Sequence, residues 1–120
     1  MRLALSAVAL LLAAAAPPPS DPVPPALQDV IIAKISTTLV LPASAIWQFD
    51  RSQPYALGGT LVCGRVNYQI STRRYVGMSP FYAVVNDGKV SEWALVSTEY
   101  KLDPTGATTL AYKQHCDSGA

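Results

Sequence analysis

The apolar residues of this chain change their spacing at Pro42, and that change limits the fold more than any other feature. Ahead of it, Leu27, Val30, Ile31, Ile35 and Leu39 recur at intervals of three and four. That spacing predicts one face of a helix over Ala26 to Val40. Pro24 and Pro25 suit a first helical turn, where a missing N–H does no harm. Pro42 enforces a stop, and Ser36-Thr37-Thr38 weakens the last turn. Beyond Pro42, Ala45, Trp47 and Phe49 alternate with Ile46, Gln48 and Asp50, the period of a half-buried strand.

The period of two then persists. Gln53-Pro54 and Gly58-Gly59 bracket a loop. Thr60 to Tyr68 forms a second strand, with Leu61 and Cys63 on one side and Val62, Val66 and Tyr68 on the other. Gly64 inside it marks a bulge or a close backbone approach. Ser71 to Arg74 is polar and suits a turn. A third strand runs from Phe81 to Val85 and a fourth from Val90 to Thr98. Between them Asn86-Asp87-Gly88 tolerates the positive φ angles of a tight hairpin. Asp103-Pro104-Thr105-Gly106 fits a type I turn, and Ala107 to Tyr112 follows as a short fifth strand. The expectation is an α+β domain of two layers, an N-terminal helix packed on a four- to five-stranded, mainly antiparallel sheet.

The first 25 residues belong to something else. Met1-Arg2 is a positive start, Leu3 to Ala16 is an uncharged apolar run of 14 residues, and small residues close it. That order is a secretory signal peptide. A span would need about 20 residues, which leaves an uncleaved anchor as the lesser alternative. Residues 17–25 hold six of the ten prolines and suit an extended spacer. The expected division is a signal peptide at 1–16, a spacer at 17–25 and one domain at 26–120, with cleavage between Ala14 and Ser20. The protein is then exported, to the periplasm or beyond, with no stable membrane span once the signal is gone.

Charge excludes one class of partner. The chain has 9 Lys+Arg against 8 Asp+Glu, and losing Arg2 leaves 8 against 8. A protein that binds nucleic acid through a basic surface does not look like this. Cys63 and Cys116 are the only cysteines, and in an oxidising compartment an even count suggests a disulfide. Closing about 54 residues would contribute roughly 4 kcal/mol in the chain-entropy model. The rival readings are two free thiols or a metal pair. Zinc normally needs four ligands, and His115 is the sole histidine, so no metal is expected.

No catalytic set emerges. His115 has no visible triad partner, and Cys63 is a nucleophile only if reduced. Glu92 and Glu99 fall on opposite faces of a regular strand, so they make no carboxylate pair. Gly58-Gly59 is too short to cradle a phosphate. The expectation is a non-enzyme without a cofactor. The most suggestive polar cluster is Arg73-Arg74-Tyr75, with Arg65 and Tyr68 nearby in sequence. Guanidiniums and aromatics together make a candidate binding loop, set against the plainer reading of a solvated connection.

Leu41-Pro42-Ala43-Ser44-Ala45, then Val62-Cys63-Gly64-Arg65-Val66-Asn67, then Tyr75-Val76-Gly77 with Pro80-Phe81 form a pattern. It resembles short exported, often lipoprotein-like proteins of Gram-negative bacteria and their phages. Their pattern runs L-x-D-P-x-S-A, V-C-G-x-V-N and G-G-Y-x-G-x-x-x-F. The resemblance covers roughly residues 26 to 98 and implies an envelope location without an activity. Val40-Leu41 stands where the acidic residue would be, and Arg73-Arg74 replaces the paired glycines. Two functions from different classes follow. One is a non-enzymatic envelope module that binds a protein or a cell-wall component. The other is an inhibitor of an extracellular or periplasmic hydrolase, with Arg73-Arg74-Tyr75 as its wedge.

Overall fold

Helix α1 (Pro25–Ser36) opens on Pro24, and its prolines sit where the first N–H groups need no partner. It ends earlier than the apolar spacing predicts. The Thr37 and Thr38 hydroxyls donate to the Lys34 and Ile35 carbonyls, satisfying acceptors that a continuing helix would have used. Ile31 and Ile35 are fully buried, and Leu39 is buried from the turn that follows. The computed structural model describes residues 21–96 and 106–117. The expected signal peptide, the start of the expected spacer, the end of the expected fourth strand and most of the expected Asp103–Gly106 turn lie outside those residues. The described end of the proline-rich segment is packed: Asp21 exchanges two backbone hydrogen bonds with Ser52, and Val23 is buried.

The strands are β1 (Leu41–Pro54), β2 (Thr60–Ser71), β3 (Arg74–Tyr75), β4 (Ser79–Asn86) and β5 (Lys89–Leu95). They form one antiparallel sheet in the order β1-β2-β4-β5, with β3 pairing the far end of β2. Every long neighbour pair is sequential, so the sheet is a meander built from local turns. The β4–β5 turn is the one the sequence announces, with Asp87 at φ 52° and Gly88 at φ 73°. The fold is thus α+β, with α1 on one sheet face. That face buries Val62, Val66, Phe81, Ala83 and Val85 against α1, with Trp47 and Phe49 packed on them.

The second sheet face corrects the two-layer expectation. Ala107–Tyr112 is not a strand but a helix, α2, followed by a π-helical turn at Lys113–Asp117. Its buried positions Thr109 and Cys116, with Tyr112 packed alongside, are spaced by three and four. The six-residue alternation mimicked a strand because the segment is too short to separate the two periods. Leu61, Cys63, Tyr82 and Val84 are apolar on this face, and α2 with its turn covers them. A disulfide joins Cys63 on β2 to Cys116 in the π-helical turn, with Cα atoms 6.0 Å apart. No helix among the described residues is long and apolar enough to cross a membrane.

Candidate functional site

A break in β1 makes the site. Phe49 pairs with Gly64 but Arg51 pairs with Cys63, so Asp50 is an extra residue in a bulge. The extra residue reverses the faces. Trp47 and Phe49 point to α1, whereas Arg51 and Gln53 stand on the second face, beside Cys63 and Leu61. Arg51 donates from its guanidinium to the Cys116 carbonyl, closing the end of the π-helical turn. The β1–β2 turn beyond Pro54 then folds over. Tyr55 accepts from Gly58 N–H and donates to the Gly59 carbonyl, both at 3.0 Å, and both glycines hold positive φ.

Between this turn and the C-terminal helix lies a pocket of about 470 Å³, lined by Gln53, Pro54, Tyr55, Ala56, Leu61, Gln114 and His115. Its walls are mostly apolar, and none of these described lining residues is a lysine, arginine, aspartate or glutamate. The disulfide and the Arg51 hydrogen bond fix one wall, and the glycine turn forms the other.

His115 is held from several sides. Its ring stacks on Tyr82 at 4.2 Å and 7°, and on Tyr55 at 5.7 Å and 22°. Nδ1 lies 2.7 Å from the Ala111 carbonyl, an acceptor only, so this nitrogen carries a proton. Nε2 lies 3.1 Å from the Tyr55 hydroxyl and 3.2 Å from Glu92 Oε2. Glu92 also accepts from the Tyr82 hydroxyl at 2.8 Å. Burial, then that hydrogen bond and the Glu92 charge, hold the Tyr82 hydroxyl well above the usual tyrosine range. Tyr82 is therefore a proton donor that orients Glu92 and not a ready nucleophile. Cys63 is oxidised, which removes the other candidate. No group of three or more His, Cys, Asp or Glu among the described residues is placed to hold a metal.

The five residues of the candidate binding loop do not converge. Arg65 stands on the α2 face and binds Asp50 through two hydrogen bonds, at 2.9 and 3.2 Å. The Asp50 hydrogen bond and charge raise its pKa. Tyr68 lies on the opposite face, packed on the α1 core, where burial raises its hydroxyl pKa. Arg73, Arg74 and Tyr75 are exposed around the β2–β3 turn, with Tyr75 donating to the Ser44 carbonyl at 3.2 Å. None of the five lines the pocket. Sequence reasoning missed Gln53, Tyr55 and Gln114 as site residues and set His115 and Glu92 aside. One signal was there: His115 adjoins a cysteine expected to be tethered, which keeps its backbone close to Cys63.

Comparison with protein-family models, with curated proteins and with solved structures finds no match.

Proposed function

We propose that this protein is an exported, non-enzymatic binding module of the bacterial envelope. Its pocket takes an uncharged apolar group, such as a side chain of an envelope protein or an apolar part of a cell-wall component. The pocket between the β1–β2 turn and the disulfide-tied helix carries this reading. A preformed apolar concavity with a few convergent polar groups is the usual shape of a ligand site. The basic start, the apolar run and the disulfide support export. The resemblance to short exported proteins points the same way. The hydrolase-inhibitor alternative would use Arg73-Arg74-Tyr75 as its wedge, and these residues are exposed around the β2–β3 turn, away from the pocket.

The test uses N-phenyl-1-naphthylamine, an uncharged fluorophore that brightens in apolar surroundings. Ala56 is an exposed lining residue, so Ala56→Trp fills the mouth without entering the core. The variant is expected to bind the probe at least about tenfold more weakly, some 1.4 kcal/mol. Equal binding by wild type and Ala56→Trp overturns the pocket reading.

A further inference from the structure

We propose that His115 gates the pocket by pH, releasing its ligand as the ring gains a proton. The inference rests on the pocket reading above and adds its regulation. His115 is the only histidine of the chain. Its Nδ1–H is held by the Ala111 carbonyl at 2.7 Å in either charge state, so a second proton goes to Nε2. Nε2 has two neighbours that want opposite things from it. As a bare lone pair it accepts the Tyr55 hydroxyl at 3.1 Å and offers nothing to the Glu92 carboxylate. As an N–H it can donate to Glu92 at 3.2 Å or to the Tyr55 oxygen at 3.1 Å, and the opposite charge favours Glu92, so the Tyr55 hydroxyl loses its acceptor.

The ring itself cannot turn to soften this exchange. Tyr82 stacks on it at 4.2 Å, and the backbone beside it is tied by the disulfide and by Arg51 on the Cys116 carbonyl. Glu92 is held in place by the Tyr82 hydroxyl at 2.8 Å. The part left to move is Tyr55, with its glycine turn and the exposed Leu57. Tyr55 is a pocket wall. Charged and titratable groups reach the ring from four neighbouring segments and from its own. Glu92 reaches it from β5, Tyr82 from β4, Tyr55 from the β1–β2 turn and Arg51 from β1, while Tyr112, Lys113 and Asp117 share its own segment. The neutral ring pins Tyr55 and keeps the pocket walled. The protonated ring lets Tyr55 go.

The experiment follows the His115 ring by NMR between pH 5 and 8, where histidines titrate, with N-phenyl-1-naphthylamine affinity measured on the same samples. Affinity is expected to fall at least about fivefold toward low pH, the lower end of coupling between linked sites, along the His115 transition. By the reciprocity of linkage, saturating probe then moves that transition to lower pH. Tyr55→Phe is expected to make the affinity equal at pH 5 and 8. Affinity that ignores the His115 transition, or a Tyr55→Phe variant that keeps the wild-type ratio, overturns the gate. Should no probe bind at any pH, the pocket reading fails, and the Tyr55 ring resonances decide the gate separately. Movement with the His115 transition sustains the gate, and fixed resonances refute it.

Discussion

Gly64 shows what the sequence pattern around Cys63 is for. A Cβ there would lie 2.5 Å from the Gln48 carbonyl oxygen and 2.7 Å from the Phe81 ring. Its φ is ordinary, so space and not backbone freedom demands glycine. Phe81 is fully buried and meets Trp47 and Phe49 edge-on, both at 5.7 Å, which leaves the ring nowhere to go. The neighbouring pattern residues act alike. The Ser44 hydroxyl donates to the Leu41 carbonyl and accepts the Gln69 N–H, bridging the first register shift of β1. Asn67 accepts the Gly77 N–H at 2.9 Å, where the chain bends at φ 95° ahead of β4. Tyr75 returns to Ser44. All three stretches of the pattern thus hold one another, and the pattern encodes a sheet more than a site. We predict that Gly64→Ala lowers stability by about 2–3 kcal/mol, at the upper end of overpacking costs, because a backbone carbonyl cannot step aside cheaply. Urea unfolding checks this, and an unchanged midpoint would contradict the packing argument.

Among the elements, the C-terminal helix depends most on its neighbours. α2 has six residues, too few to persist alone in water, and its cap residue Gly106 makes no side-chain cap bond. What holds it is the Cys63–Cys116 bond and a small core of Leu61, Tyr82 and Val84, with Ala111 and Tyr112 packed on it. Replacing both cysteines by serine should remove about 2–4 kcal/mol of stability. The loss should be visible locally first. Amides of 107–117 should lose hydrogen-exchange protection while those of β2 and β4 keep theirs. Uniform loss across the sheet would show that the second layer is not a separate unit. The same dependence explains what was legible beforehand. The α1 stripe and the Asn86-Asp87-Gly88 hairpin are local signals, readable from spacing and turn chemistry alone. The α2 segment is not, since its helical face has meaning only against Leu61, Cys63, Tyr82 and Val84. The pocket was hidden for a related reason: one bulged residue, Asp50, moves Arg51 and Gln53 to the far face, and alternation counted straight through β1 puts them on the wrong side.

At the scale of the whole molecule, both faces of the sheet carry a tyrosine whose ionisation the fold opposes. Tyr68 lies under α1 and Tyr82 under α2, and burial is the main cause at each, joined at Tyr82 by its bond to Glu92 and the charge of that carboxylate. The unfolded chain ionises a tyrosine near pH 10, while the folded chain holds these two protonated above that value. The folded state therefore binds more protons than the unfolded state once pH passes about 10, and stability falls as pH rises further. Below about pH 10 both states keep the phenols neutral, so this contribution is fully present there. A single such group gives a slope of at most about 1.4 kcal/mol per pH unit. Tyr82→Phe keeps the ring that stacks on His115 and removes the proton. It also deletes the hydrogen bond to Glu92, which costs about 1–2 kcal/mol near neutrality. The variant should accordingly start less stable at pH 8 and lose stability less steeply than wild type from pH 10 to 11.5, so that the two curves converge. Denaturant unfolding across that range measures both slopes, and parallel curves would mean that Tyr82 ionises as freely in the folded chain as in the unfolded one.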